Sequence, residues 1–122
     1  MISRQYLELS VPTLYASDIR ASAEWYRKIW GFQTLEIDSD SAAMQVVPGV
    51  VFYLSTSEDS HRDLAFSTKR MEQFRKHLAE NNIVLEEEHD NHWIAFRDPD
   101  NNRVGAWSGG FGMELMEIAL PD

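Results

Sequence analysis

Apolar residues recur along this chain with two spacings, two residues and three to four, and the places where one gives way to the other mark its elements. From Leu7 to Ala16 the spacing is two. Val11, Thr13 and Tyr15 fall on one side and Pro12, Leu14 and Ala16 on the other, as in a strand. Pro12 gives no ladder bond, which puts an edge or a bulge there. Ile19, Ala23 (or Ser22), Tyr26, Ile29 and Trp30 then follow helical spacing. Ser17-Asp18 is the start signal of that helix and Gly31 its left-handed end. Phe32 to Ile37 and Ala42 to Val47 read as strands around the polar loop Asp38-Ser39-Asp40-Ser41. Val47-Pro48-Gly49-Val50 has the Pro-Gly centre of a type II turn, and Val50 to Leu54 completes a hairpin.

After the linker-like Ser55 to Ser60 the order begins again. Asp63 to Phe66 is a strand, and Ser67-Thr68 reads as the cap of a second helix with Met71, Phe74, Leu78 and Ala79 as its apolar stripe. Asn81-Asn82 ends it. Ile83 to Glu88, Trp93 to Arg97 and Arg103 to Ser108 read as three more strands. Ser17 and Thr68 both stand at a helix start, Phe32 and Ile83 both follow a helix end, and each pair is 51 residues apart. The expectation is an α+β fold of two βαβββ modules, about 7–55 and 61–108, within a single domain of residues 1–122. The competing reading of the same order is a ferredoxin-like α+β domain. Residues 109–122 form a tail without a place in the repeat, although Phe111, Met113, Leu115, Met116, Ile118 and Leu120 make it apolar.

Between the last two strands lies Asp98-Pro99-Asp100-Asn101-Asn102. Proline presets a turn's second residue, and Asn and Asp tolerate the left-handed region, so this is a hairpin turn. The composition changes the picture little. With 122 residues and 43% apolar content the chain is long enough for one real core. A net charge of −9 argues against nucleic acid, which needs clustered Lys and Arg. No apolar run approaches the roughly 20 residues that span a bilayer, so no membrane partner is expected. The absence of cysteine fits a cytoplasmic setting and rules out disulfides.

Three stretches in order resemble the vicinal-oxygen-chelate superfamily, the glyoxalase, bleomycin-resistance and extradiol-dioxygenase proteins. They are the helix from Ser17-Asp18 through Trp25-Tyr26 to Trp30-Gly31-Phe32, the strand Asp63-Leu64-Ala65-Phe66, and the hairpin from Phe96 to Trp107. The resemblance covers about residues 7 to 108. It implies a curled eight-stranded mixed sheet around a cavity, with the helices on its outer face. It also implies a divalent metal in many members, bound from the first and last strands of each module. Here those positions fall on Val11, Asp63 and Gly105, with the fourth near Phe52. Val11 and Gly105 offer no donor, and a catalytic centre generally needs about three protein ligands. No metal and no other cofactor are therefore expected. His61, His89 and His92 show no established ligand spacing.

Strand phase gives the candidate site. If Leu64, Phe66, Ile94, Phe96, Val104 and Ala106 face the helices, then the opposite phase faces the cavity. That phase holds Asp63, Trp93, Arg97, Arg103 and Trp107, joined by Tyr15 of the first strand and Phe52 of the fourth. Gly105 would leave space above its strand, with Trp93 and Trp107 as two aromatic walls and Asp63 as a negative charge at the base. Such a slot suits a flat or cationic organic ligand. Two other readings compete with it: aromatics filling a collapsed cavity or an interface, and Asp63 spent in an ion pair with Arg97 or Arg103. Glu86-Glu87-Glu88 reads as a solvated strand end. The resulting expectation is a small-molecule binding protein like the bleomycin-resistance branch, and a homodimer as the family implies. The alternatives are a metal-dependent lyase, isomerase or dioxygenase, and an interaction domain with a filled cavity.

Overall fold

The first helix, α1, is set by its own ends. Asp18 accepts a hydrogen bond from the Ala21 amide at 3.1 Å, and Gly31 turns left-handed at φ 78°. Between them the computed structural model, which describes residues 12–90 and 92–108, has an α-helix over Ile19–Trp30. Its buried stripe is Ile19, Ser22, Ala23, Tyr26, Ile29 and Trp30, so the two alternatives Ser22 and Ala23 are both buried. The strand before it, β1, spans Thr13–Tyr15. The stretch Leu7 to Val11 expected to begin it lies outside the described residues.

Three strands follow: β2 (Gln33–Ile37), β3 (Ser41–Val47) and β4 (Val50–Ser55). Gly49, at φ 87°, supplies the left-handed residue that the type II turn between β3 and β4 requires. The second module repeats the order as β5 (Asp63–Thr68), α2 (Met71–Glu80), β6 (Glu87–His89), β7 (Trp93–Arg97) and β8 (Arg103–Ser108). Each module makes one four-stranded mixed sheet, ordered β1-β4-β3-β2 and β5-β8-β7-β6. In each, the first strand pairs in parallel with the last, and the other pairs are antiparallel. The eight strands thus form two matching sheets, not a closed barrel.

Local differences from the sequence reading have local causes. Ser67 and Thr68 end β5 instead of capping α2; Thr68 Oγ1 accepts from the Arg70 amide at 3.0 Å and turns the chain, and α2 begins at Met71 without a side-chain cap. Ala79 is exposed, off the buried stripe of Met71, Phe74 and Leu78. The expected strand from Ile83 shortens to Glu87–His89, while Ile83 and Leu85 pack against the core as coil. No helix among the described residues is long and apolar enough to cross a membrane.

One aromatic core serves both modules. Trp30, from the first, lies with ring centroids 5.0 Å from Phe66, 4.8 Å from Phe74 and 5.4 Å from Phe96, all from the second. A backbone bridge joins the modules beside it: the Tyr15 amide donates to the His61 carbonyl at 3.0 Å, and the His61 amide to the Thr13 carbonyl at 2.8 Å.

The Asp98–Asn102 turn is the polar part of the same joint. The Asp98 carboxylate, 7% exposed, accepts from the Tyr26 hydroxyl at 2.6 Å, the Asn102 amide at 2.8 Å, Asn102 Nδ2 at 2.8 Å and the Asp100 amide at 2.9 Å. Asn102 Nδ2 also donates to the Tyr15 carbonyl at 2.7 Å. Asp100 reaches the start of α1, accepting from the Ser17 amide at 3.0 Å, Ser17 Oγ at 2.6 Å and Ser22 Oγ at 3.0 Å. A carboxylate at a helix N-terminus satisfies donors that the helix cannot. Asp100→Ala is expected to lower unfolding stability by about 1–2 kcal/mol, the scale of a lost helix cap. Urea denaturation checks this, and an unchanged midpoint would refute it.

Candidate functional site

Alternation along β5, β7 and β8 divides their side chains as the strand phase requires. Phe66, Ile94, Phe96, Val104 and Ala106 are buried beneath the helices, and Leu64 is half-buried. The opposite phase forms the open face of the second sheet. There Trp93 and Trp107 are register partners, with ring centroids 4.6 Å apart and planes tilted by 46°. They touch each other, so they are not two walls of a slot. The space expected above Gly105 is also taken: a Cβ built on Gly105 would stand 2.0 Å from Cη2 of Trp93. The same ring meets the Arg103 guanidinium, 5.2 Å from its centroid, and Arg103 Nε donates to Glu87 Oε2 at 2.6 Å. Trp107, Trp93, Arg103 and Glu87 therefore form one continuous run of contacts across the face.

Beside this run is a cavity of about 580 Å³ lined by Ala65, His89, His92, Trp93, Arg103 and Trp107. A smaller one, about 230 Å³, shares Ala65, Trp93 and Arg103 with it and adds Asp63 and Leu64. The histidines arrive by the β6–β7 turn. His89 is the register partner of Trp93, the His92 amide donates to the His89 carbonyl at 3.0 Å, and Asp90 takes the left-handed conformation at φ 51°. The Ser108 amide, at the end of β8, donates to the His92 carbonyl at 3.0 Å and ties this turn to the sheet.

Four of the residues proposed from sequence converge on these joined clefts: Asp63, Trp93, Arg103 and Trp107. Three do not line them. Phe52 is 2% exposed, packed against Tyr26, Phe32 and Phe66 at centroid distances of 5.4, 5.6 and 5.9 Å; the side chain its strand turns outward is Tyr53, 40% exposed. Tyr15 carries the Arg62 guanidinium 3.9 Å above its ring. Arg97 donates from Nη2 to Glu86 Oε1 at 3.0 Å and from Nη1 to the Asn101 carbonyl at 3.1 Å. The glutamates expected to be a solvated end each meet an arginine: Glu86 with Arg97, Glu87 with Arg103 and Glu88 with Arg75. The Arg97 hydrogen bond holds the Glu86 carboxyl below its ordinary value. Neither arginine proposed for Asp63 pairs with it.

No known protein-family profile matches the sequence, and no curated protein does. Solved structures do match in shape. A fosfomycin resistance protein, FosX, from Listeria monocytogenes, solved with Mn(II) and a sulfate ion, superposes with a TM-score of 0.68 at 16% identity, over 91% of this chain and 94% of that one. Lactoylglutathione lyase from Agrobacterium tumefaciens gives 0.67 at 15% identity, over 82% and 93%. A glyoxylase/bleomycin resistance protein/dioxygenase domain from Frankia sp. EAN1pec gives 0.64 at 20% identity, over 85% and 98%. The chain has the vicinal-oxygen-chelate fold.

The metal implied by the vicinal-oxygen-chelate resemblance can be tested against the residues at its positions. Val11 lies outside the described residues. Asp63 is an exposed carboxylate at the start of β5. Gly105 has no donor, and the Trp93 ring fills the room a side chain would need. The fourth position, placed near Phe52, falls on a core side chain. Among the described residues, no three His, Cys, Asp or Glu side chains gather as a metal site would require. These residues do not fit the metal that the resemblance implies.

Proposed function

We propose that this chain binds a small organic molecule on the open face of its second sheet, without a metal ion, in the manner of a sequestering protein. The observation that supports this best is the Trp93 ring over Gly105. Where the resemblance implies a glutamate ligand, this chain has an aromatic surface. A cavity of about 580 Å³ is within the usual size of a small-molecule site, about 300–1,000 Å³. Its lining mixes large apolar rings with a few polar groups, as such sites do.

A metal-dependent lyase or dioxygenase is the second reading, favoured by the likeness to a lactoylglutathione lyase and to a resistance protein solved with Mn(II). An interaction domain is the third, favoured by the Trp93–Trp107 contact that narrows the face. With the binding reading we place a homodimer in solution; a monomer mass by light scattering would remove that part.

Metal titration by calorimetry, at neutral pH with the full chain, separates the first two readings. Ni, Zn, Mn and Fe(II) are each expected to bind without defined stoichiometry and to leave the thermal midpoint unchanged. One-to-one binding of any of them, with a raised midpoint, would put the enzyme reading first.

A further inference from the structure

Resting on this binding reading, we propose a class for the ligand: a planar aromatic carboxylate, with its ring on Trp107 and its carboxylate at the His89–His92 turn. The joined clefts have a direction. At one end Asp63 stands opposite Arg103 in the parallel register of β5 and β8. At the other, four residues along β8, Trp107 faces Trp93, and Trp93 in turn faces His89. Four strand residues span about 13 Å, so the acidic end and the histidine end are separate subsites for one small molecule.

The ring position follows from exposure. Trp93 is 9% exposed, enclosed by Trp107, Gly105 and Arg103, whereas Trp107 is 37% exposed and lines the same cavity. A large indole lining a cavity offers a flat ligand offset stacking.

The charge follows from what is already engaged. Arg103 is the cation nearest the rings, but its guanidinium is paired with Glu87 and lies against Trp93. A ligand carboxylate there would have to share the guanidinium with the like charge of Glu87. The imidazoles of His89 and His92 line the same cavity, and each ring offers an N–H donor. Among the described residues, the charged groups around them are Asp90 in the turn, Glu88 paired with Arg75 from α2, Glu87 paired with Arg103 from β8, and Asp63 at the far end. An anion at the histidine end is therefore as far from Asp63 as the cleft allows. A cationic aromatic would sit the other way round, its charge at Asp63 beside the Arg103 guanidinium.

Two probes decide between these orientations: 2-naphthoate and 2-naphthylmethylammonium, titrated calorimetrically into the full chain. At neutral pH naphthoate is expected to bind at least about threefold more tightly than the ammonium probe. A His89→Ala/His92→Ala double variant, with its fold checked by thermal melting, is expected to lose that preference while still binding naphthoate. Tighter binding of the ammonium probe, or a preference for naphthoate that survives in the double variant, would overturn the carboxylate assignment and leave the cleft reading standing. If neither probe binds and the Trp107 indole N–H resonance does not move, the cleft reading itself falls and the ligand class falls with it.

Discussion

Replacing Asp98 by Ala is expected to lower unfolding stability by about 3–4 kcal/mol, because it strips the acceptor from several buried donors at once. The Tyr26 hydroxyl and Asn102 Nδ2 both point at this carboxylate, and two backbone amides of the turn share it. Tyr26→Phe, which removes one donor and leaves the carboxylate three, should cost less, about 1.5–3 kcal/mol. A double-mutant cycle should then return a coupling well above zero, since the two groups act on each other directly. Additive losses would mean that the hydrogen bond contributes nothing of its own. Burial pushes the Asp98 carboxyl up from its ordinary 3.8, against the pull of its hydrogen bonds, and burial with the Asp98 charge pushes the Tyr26 phenol well above 10.0. The native chain therefore holds the Asp98 proton at pH values where the unfolded chain has released it. The stability this group adds is fully present below about 3.8 and declines as pH rises through its folded value. Asp98→Asn, which cannot titrate, should remove that slope. The stability difference between the parent chain and Asp98→Asn should accordingly shrink as pH rises from about 3.8, and an unchanging difference would refute the raised carboxyl.

Gly105→Glu should not create a metal ligand; it should damage the sheet. The substituted Cβ would stand 2.0 Å from the Trp93 ring, a separation that real side chains do not reach. Either the indole leaves its place against Trp107 and Arg103 or β8 shifts from β7. Overpacking of this kind costs about 1–3 kcal/mol and occasionally more, and the ionised head added to an aromatic surface puts the expected loss at the upper end. Trp93→Ala in the same chain should recover much of it, since the clash is with one ring. Equal stability of Gly105→Glu and the parent would show that the ring moves aside freely. In that case the glutamate position is merely vacant, and its loss would no longer argue for an aromatic ligand face.

The repeat of modules was legible because its punctuation is chemical: Asp18 and Gly31 at the ends of α1, Pro48-Gly49 in the first module, Asp98-Pro99 in the second. The phase of β5, β7 and β8 was legible too, since a residue facing the helices there is apolar while its neighbours include Asp63, Arg97 and Arg103. The phase of β4 was not. Val50-Val51-Phe52-Tyr53-Leu54 is apolar throughout, and a register shift between Gln45 and Val47 breaks the count on its partner β3. Nothing in that run tells Phe52 from Tyr53. The second helix start was misread because Ser67-Thr68 has the chemistry of a cap, and a strand end followed by a turn uses the same hydroxyl. His89 and His92 were visible as a pair of histidines, but their place on the cleft depends on the pairing of His89 with Trp93, which sequence spacing alone does not give. Nor did it foretell that the two tryptophans would spend part of their surface on each other.

Trp30 has a meaning beyond stability. It is contributed by one half of a repeat and enclosed by rings from the other. A single βαβββ unit standing alone would leave that indole uncovered, so the two halves cannot be parted without exposing an aromatic surface.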